Sequence, residues 1–145
     1  LQLSMIGVWT LLAVLLAGTV IGLVRNRRDG RMRAVAVTAV TPSEATLAET
    51  LGEPLGDRAT LVQFSTAFCQ PCRATRRILD EVAAMVPGVR HVEIDAEARL
   101  DLVRQLDVMR TPTVLVLDKA GNIVKRASGL PRKADVIAAL GAAID

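Results

Sequence analysis

The only two cysteines of the chain, Cys69 and Cys72, lie two residues apart in FCQPCRATRRIL, residues 68–79. Such a pair can be a redox couple, half of a metal site, a structural staple or two inert thiols. Position narrows the choice. The apolar run TLVQFST (60–66) reads as a strand that delivers the chain to a helix starting near Cys69. At a helix N-terminus backbone N–H groups lack partners and the dipole is positive, so thiolate is favoured over thiol. Arg73, Arg76 and Arg77 add positive charge to the first turns. Cys69 comes first and is expected to be the more exposed nucleophile. Cys72 follows one turn later on the same face, at a separation of roughly 5–6 Å, which suits a disulfide. It can therefore resolve a mixed disulfide formed at Cys69. Pro71 fits the first turn of a helix, where its missing N–H costs nothing.

Against the metal reading, zinc needs about four ligands, and the chain offers two cysteines and a single histidine, His91. Against the staple, a loop closed over two residues constrains the unfolded chain little. Two inert thiols stay open at this point.

The surrounding pattern alternates. AVAVTAV (34–40) is strand-like, and Thr41, Pro42 and Glu44 form a capping box for a helix ending near Gly52 or Pro54. The helix from Cys69 runs to the Pro87–Gly88 breaker, with Ile78, Leu79, Val82 and Val86 on its core-facing side. VRHVEID (89–95) predicts a strand. Residues 97–108 predict an amphipathic helix with Leu100, Val103 and Leu106 inward. TPTVLVLD (111–118) and IVKRAS (123–128) predict a hairpin turning at KAGN. A last helix opens near RKADVIAAL, with Val136, Ile137 and Leu140 inward. This order implies an α/β fold, a mixed sheet with helices on both faces.

Ahead of that domain, residues 3–24 carry no charge. As a helix they would span about 33 Å, enough to cross a bilayer core. A cleaved signal peptide has a shorter apolar core and a basic start. The division expected is therefore a transmembrane anchor over 1–24, a basic juxtamembrane linker over 25–33 and a domain over 34–145. The linker holds five arginines against Asp29, while the other 13 basic and 14 acidic residues leave the domain near neutral. The positive-inside rule then puts the domain of a single-pass protein on the cytoplasmic side, although a basic extension ahead of Leu1 would weaken that assignment. With 2% aromatic residues and no basic stripe in the domain, no nucleic-acid partner is expected.

LVQFSTAFCQPCRATRRIL, with RTPTVLVLD about 40 residues on, resembles the thioredoxin family over residues 34–145. The resemblance implies a thioredoxin-like fold in which Cys69 attacks and Cys72 resolves. Pro112 would be a cis-proline facing the disulfide, and the backbone of Thr111 would pair with an extended substrate segment. Phe68, in place of the family's tryptophan, would form an apolar rim. Gly129 matches a glycine in the loop after the final hairpin. Two positions depart from the family. An acid six residues before the first cysteine is replaced by Gln63, which cannot accept a proton from Cys72. A nearby lysine is replaced by His91, whose ordinary pKa suits proton handling beneath the pair. The implied activity is thiol–disulfide exchange in cell redox homeostasis: a membrane-tethered protein-disulfide reductase with a redox-active disulfide, no cofactor and no metal. Its partners would be a disulfide-bearing protein, an electron-donor reductase and the bilayer around residues 3–24. Two alternatives are a tethered binding module with little turnover and an outward-facing exchange protein in cytochrome maturation or oxidative folding.

Overall fold

The computed structural model describes residues 2–34 and 44–145. Helix α1 (Gln2–Arg28) is followed by β1 (Arg33–Ala34), α2 (Glu44–Leu51), β2 (Ala59–Ser65), α3 (Gln70–Met85), β3 (Val89–Asp95), α4 (Leu100–Gln105), β4 (Thr113–Asp118), β5 (Ile123–Ser128) and α5 (Lys133–Ile144). The sheet order is β1-β5-β4-β2-β3, parallel only between β2 and β3. The predicted element order and mixed sheet are both present.

The apolar runs in β2 and β4 follow from burial on both faces. Leu61, Val114 and Val116 pack with Leu79 and Val82 of α3 and Val136 and Leu140 of α5. Val62, Phe64, Leu115 and Leu117 point the other way, to Leu51 of α2, Leu102 of α4 and Leu106 at its C-cap. Alternating strand residues thus feed two separate clusters, and neither face is left to water.

Several boundaries differ from the sequence pattern. Helix α4 covers Leu100–Gln105 rather than 97–108. The Asp95 carboxylate accepts the N–H of Glu97, which holds the chain in a turn before the helix, and Asp107 has a left-handed φ of 52° just after it. Its buried residue is Leu102, while Leu100 is exposed and Val103 partly buried. In α5, Ile137 is likewise exposed, and Ala139 and Ala143 join Val136 and Leu140 in the core. Strand β4 starts at Thr113, not Thr111, because Thr111 and Pro112 form a loop. Of the strand-like run 34–40 only Ala34 is described, and the capping box at Thr41, Pro42 and Glu44 lies outside the described side chains. The end of α2 at Leu51, with Gly52 at φ 72°, is where the glycine predicted it.

Helix α1 runs past the apolar stretch to Arg28, and among its described side chains none joins the core clusters. Its segment Met5–Arg28 is long and apolar enough to cross a membrane. Residues 29–34 do not hang free. Gly30 donates its N–H to the Ser128 carbonyl at 2.7 Å, Arg33 and Ala34 pair with Arg126 and Lys125 at the edge of β5, and Asp29 forms an ion pair with Arg110 at 3.0 Å.

Candidate active site

Strand β2 ends at Ser65, and the chain turns through Thr66, Ala67 and Phe68 into α3. Cys69 is the N-cap of that helix and Pro71 occupies its first turn, as the sequence predicts. The two cysteines form a disulfide with Cα atoms 5.2 Å apart. Sγ of Cys69 accepts the backbone N–H of Cys72 at 3.2 Å. Cys69 is half-buried at the rim, whereas Cys72 is only 2% exposed. An incoming sulfur therefore reaches Cys69 first. A thiolate there would keep the Cys72 N–H as a donor and sit on the positive end of α3, both of which stabilise negative charge.

Of the arginines expected to raise the local potential, Arg76 is held by Glu93 through two hydrogen bonds. That carboxylate raises the Arg76 pKa above its ordinary value and offsets its charge. Arg73 and Arg77 remain exposed.

The Thr111–Pro112 peptide bond is cis. The Thr111 hydroxyl lies 3.4 Å from that of Thr66, which links this loop to the turn before Cys69. Gly129 donates its N–H to the Pro112 carbonyl at 2.8 Å, and its φ of 93° favours glycine. Around the disulfide end Phe68 is 98% exposed and Met109 83% exposed. Sequence reasoning found the first and missed the second. Met109 precedes the cis-proline loop by two residues and carries no motif of its own.

Behind the disulfide lies a polar chain. Gln63 is fully buried. Its amide N–H₂ donates to the Cys72 carbonyl and the Ser65 hydroxyl, both at 2.9 Å. Its carbonyl oxygen therefore faces His91, whose Nε2 lies 3.2 Å away. The His91 side chain is 8% exposed, and its Nδ1 lies 2.6 Å from a carboxylate oxygen of Asp80 on α3. Gln63 and His91 thus come together beneath Cys72, joined by Asp80, which sequence reasoning missed. Asp80 lies 11 residues before His91 and meets it only because α3 packs across β3. Among the described residues no buried side-chain donor or acceptor lacks a partner, and no three histidine, cysteine or acidic side chains cluster as a metal site would require.

The thioredoxin family model matches residues 39–142. Thioredoxin from Alicyclobacillus acidocaldarius is 34% identical over 86 residues, covering 59% of this chain and 81% of its own. Thioredoxin from Chlamydia trachomatis is 29% identical over 89 residues, covering 61% and 86%. Among solved structures, a mutant thioredoxin from Halobacterium salinarum superposes with a TM-score of 0.57 at 18% identity, covering 61% of this chain and 77% of that one. Spinach chloroplast thioredoxin f gives 0.55 at 22%, covering 62% and 74%. Fold, cysteine pair and relatives agree: this chain belongs to the thioredoxin family and is a thiol–disulfide oxidoreductase.

Proposed function

We propose that the protein is a membrane-tethered protein-disulfide reductase. The observation that carries this reading is the asymmetry of the cysteine pair: Cys69 at the rim on the N-cap of α3, Cys72 buried behind it. In the reduced form the Cys69 thiolate attacks a substrate disulfide, forms a mixed disulfide and releases one substrate thiolate, which takes up a proton. Cys72 loses its proton and attacks Sγ of Cys69. The second substrate thiolate leaves, and the Cys69–Cys72 disulfide remains. Two electrons pass to the substrate, and a reductase must return them before the next cycle. Thr111 would pair with the substrate backbone beside Pro112, while Phe68 supplies an apolar contact and Gly129 braces the loop.

Gln63 cannot take the Cys72 proton, and its amide touches the Cys72 carbonyl and not the sulfur, so we assign proton handling to His91, the titratable side chain behind Gln63, which contacts the exposed Asp80 carboxylate. Arg76, bonded to Glu93, also feels the Asp80 carboxylate of this corner. The arginines from Arg25 to Arg33, which follow the apolar stretch of α1, support a cytoplasmic domain, and that compartment keeps thiols reduced, which supports net reduction.

Insulin reduction tests the reading: turnover with the wild type and none with Cys69→Ser is expected. A wild type without turnover would overturn it in favour of a binding module, the alternative that Gln63 raises.

A further inference from the structure

The position of the anchor bears on which disulfides this site can reach. Phe64 of β2, Thr113 of β4 and Ser128 of β5 lie abreast at one end of the sheet. Cys69, the cis Thr111–Pro112 bond and Gly129 extend from that end. The end of α1 arrives at the same place. Its continuation bonds to Ser128 through Gly30, to Arg110 through Asp29, and to the edge of β5 through Arg33 and Ala34.

The contact is close. A Cβ on Gly30 would lie 1.9 Å from the carbonyl oxygen of Leu130, and one on Gly129 would lie 3.2 Å from the Gly30 nitrogen. Gly30 has a φ of 76° as well. Backbone meets backbone here, as a free linker would not require. The four helical residues after Val24 rise only about 6 Å, while headgroups extend roughly 5–8 Å beyond the hydrocarbon core. Asp29 and Gly30 therefore fall at headgroup level, and the loops that touch them fall beside it. A cavity of about 600 Å³ at the same level is lined by Arg27, Arg31 and Arg132 as well as Asp29 and Asp135, a basic excess suited to anionic headgroups.

We propose that residues 29–34 are a docked strap that holds the disulfide end of the domain against the membrane surface, so that its substrates are disulfides of membrane-embedded proteins close to the headgroups. This rests on the membrane-tethered reading. It does not depend on which side the domain occupies. Phe68 and Met109 stay uncovered at that end, so the strap lies beside the disulfide and not over it.

The test uses full-length reduced protein in vesicles of zwitterionic and anionic phospholipid, in single turnover. Two substrates carry the same disulfide loop, one on a membrane-spanning peptide just outside the headgroups and one in a free peptide. The variant carries a flexible Gly/Ser insert of about 20 residues between Arg28 and Asp29, which leaves helix, strap and site intact. The readout is the ratio of the two rates, which a general loss of activity does not move. The wild-type ratio should exceed that of the insert variant by about tenfold, the effect of losing a fixed presentation. Equal ratios in protein that floats with the vesicles overturn the strap and leave the tether standing. Wild type that fails to float overturns the tether, and the strap with it.

Discussion

Gln63 stands where the family has an acid, and what replaces the acid is a chain of three groups. Its two donors and one acceptor are all engaged. Truncation would take the Gln63 partner from the Cys72 carbonyl and from Nε2 of His91. Gln63→Ala should therefore cost about 1–3 kcal/mol of stability, read from urea unfolding of the oxidised protein. His91→Ala should change the pH profile of disulfide reduction, while Cys69 and Cys72 still form their disulfide. An unchanged profile would end the assignment of proton handling to His91. Asp80→Asn should shift the same profile more mildly, because the amide still touches Nδ1 but no longer carries charge. The approach of Gln63 and His91 to the cysteines was legible in the sequence through the family's motif spacing. Asp80 was not, because its meeting with His91 depends on how α3 lies across β3.

At the scale of elements, α3 carries the chemistry at one end and the packing along its length. Leu79 is fully buried between the sheet and α5. Leu79→Ala should cost about 2–5 kcal/mol without moving the cysteines, a loss visible in thermal unfolding but not in the reduction rate of the surviving folded protein. The apolar stripe of α3 was readable because sixteen residues give the helical period room to repeat. Helix α4 is six residues long, and the same test failed there: Leu100 is exposed and Leu102 is buried. A short helix held by turns at both ends takes its rotation from those turns and not from its own periodicity. Strand β3 matched its predicted limits because the Pro87–Gly88 breaker marks its start. The start of β4 was misread because the proline that forms the site's loop can also open a strand. At the start of α4, Arg99 binds Asp101 and the Thr50 carbonyl, tying α2 to α4. The Arg99 hydrogen bond holds the Asp101 carboxyl below its usual value. A lowered folded-state pKa means that the pairing adds stability above the ordinary aspartate range, and that this is lost as pH falls through the lowered value. The stability difference between wild type and Asp101→Asn should therefore shrink on acidification and vanish once Asp101 is protonated in both folded and unfolded chains. A difference that persists there would show that the contact acts through packing.

Across the whole molecule, charge is divided unevenly. Five arginines lie from Arg25 to Arg33, the first three in the last turn of α1 directly after its uncharged stretch, and the domain beyond them is close to neutral. If α1 spans a bilayer, moving that band of positive charge across it is disfavoured, which keeps the band and the domain after it on the cytoplasmic side. The band would also be drawn to anionic lipid on the cytoplasmic leaflet, which holds the same orientation. The domain should then be reached only from inside the cell. Cys69, at the rim of the reduced site, is the natural reporter, and buried Cys72 contributes little signal. In intact cells a membrane-impermeant thiol reagent should leave Cys69 unlabelled, and labelling should appear after the membrane is opened. A permeant reagent should label it in both cases, which guards against a cysteine that is merely oxidised. Labelling of intact cells by the impermeant reagent would place the disulfide outside and shift the physiological reaction towards thiol–disulfide exchange in an oxidising compartment. The chemistry at Cys69 and Cys72 would be the same on either side, and only the direction of electron flow would change.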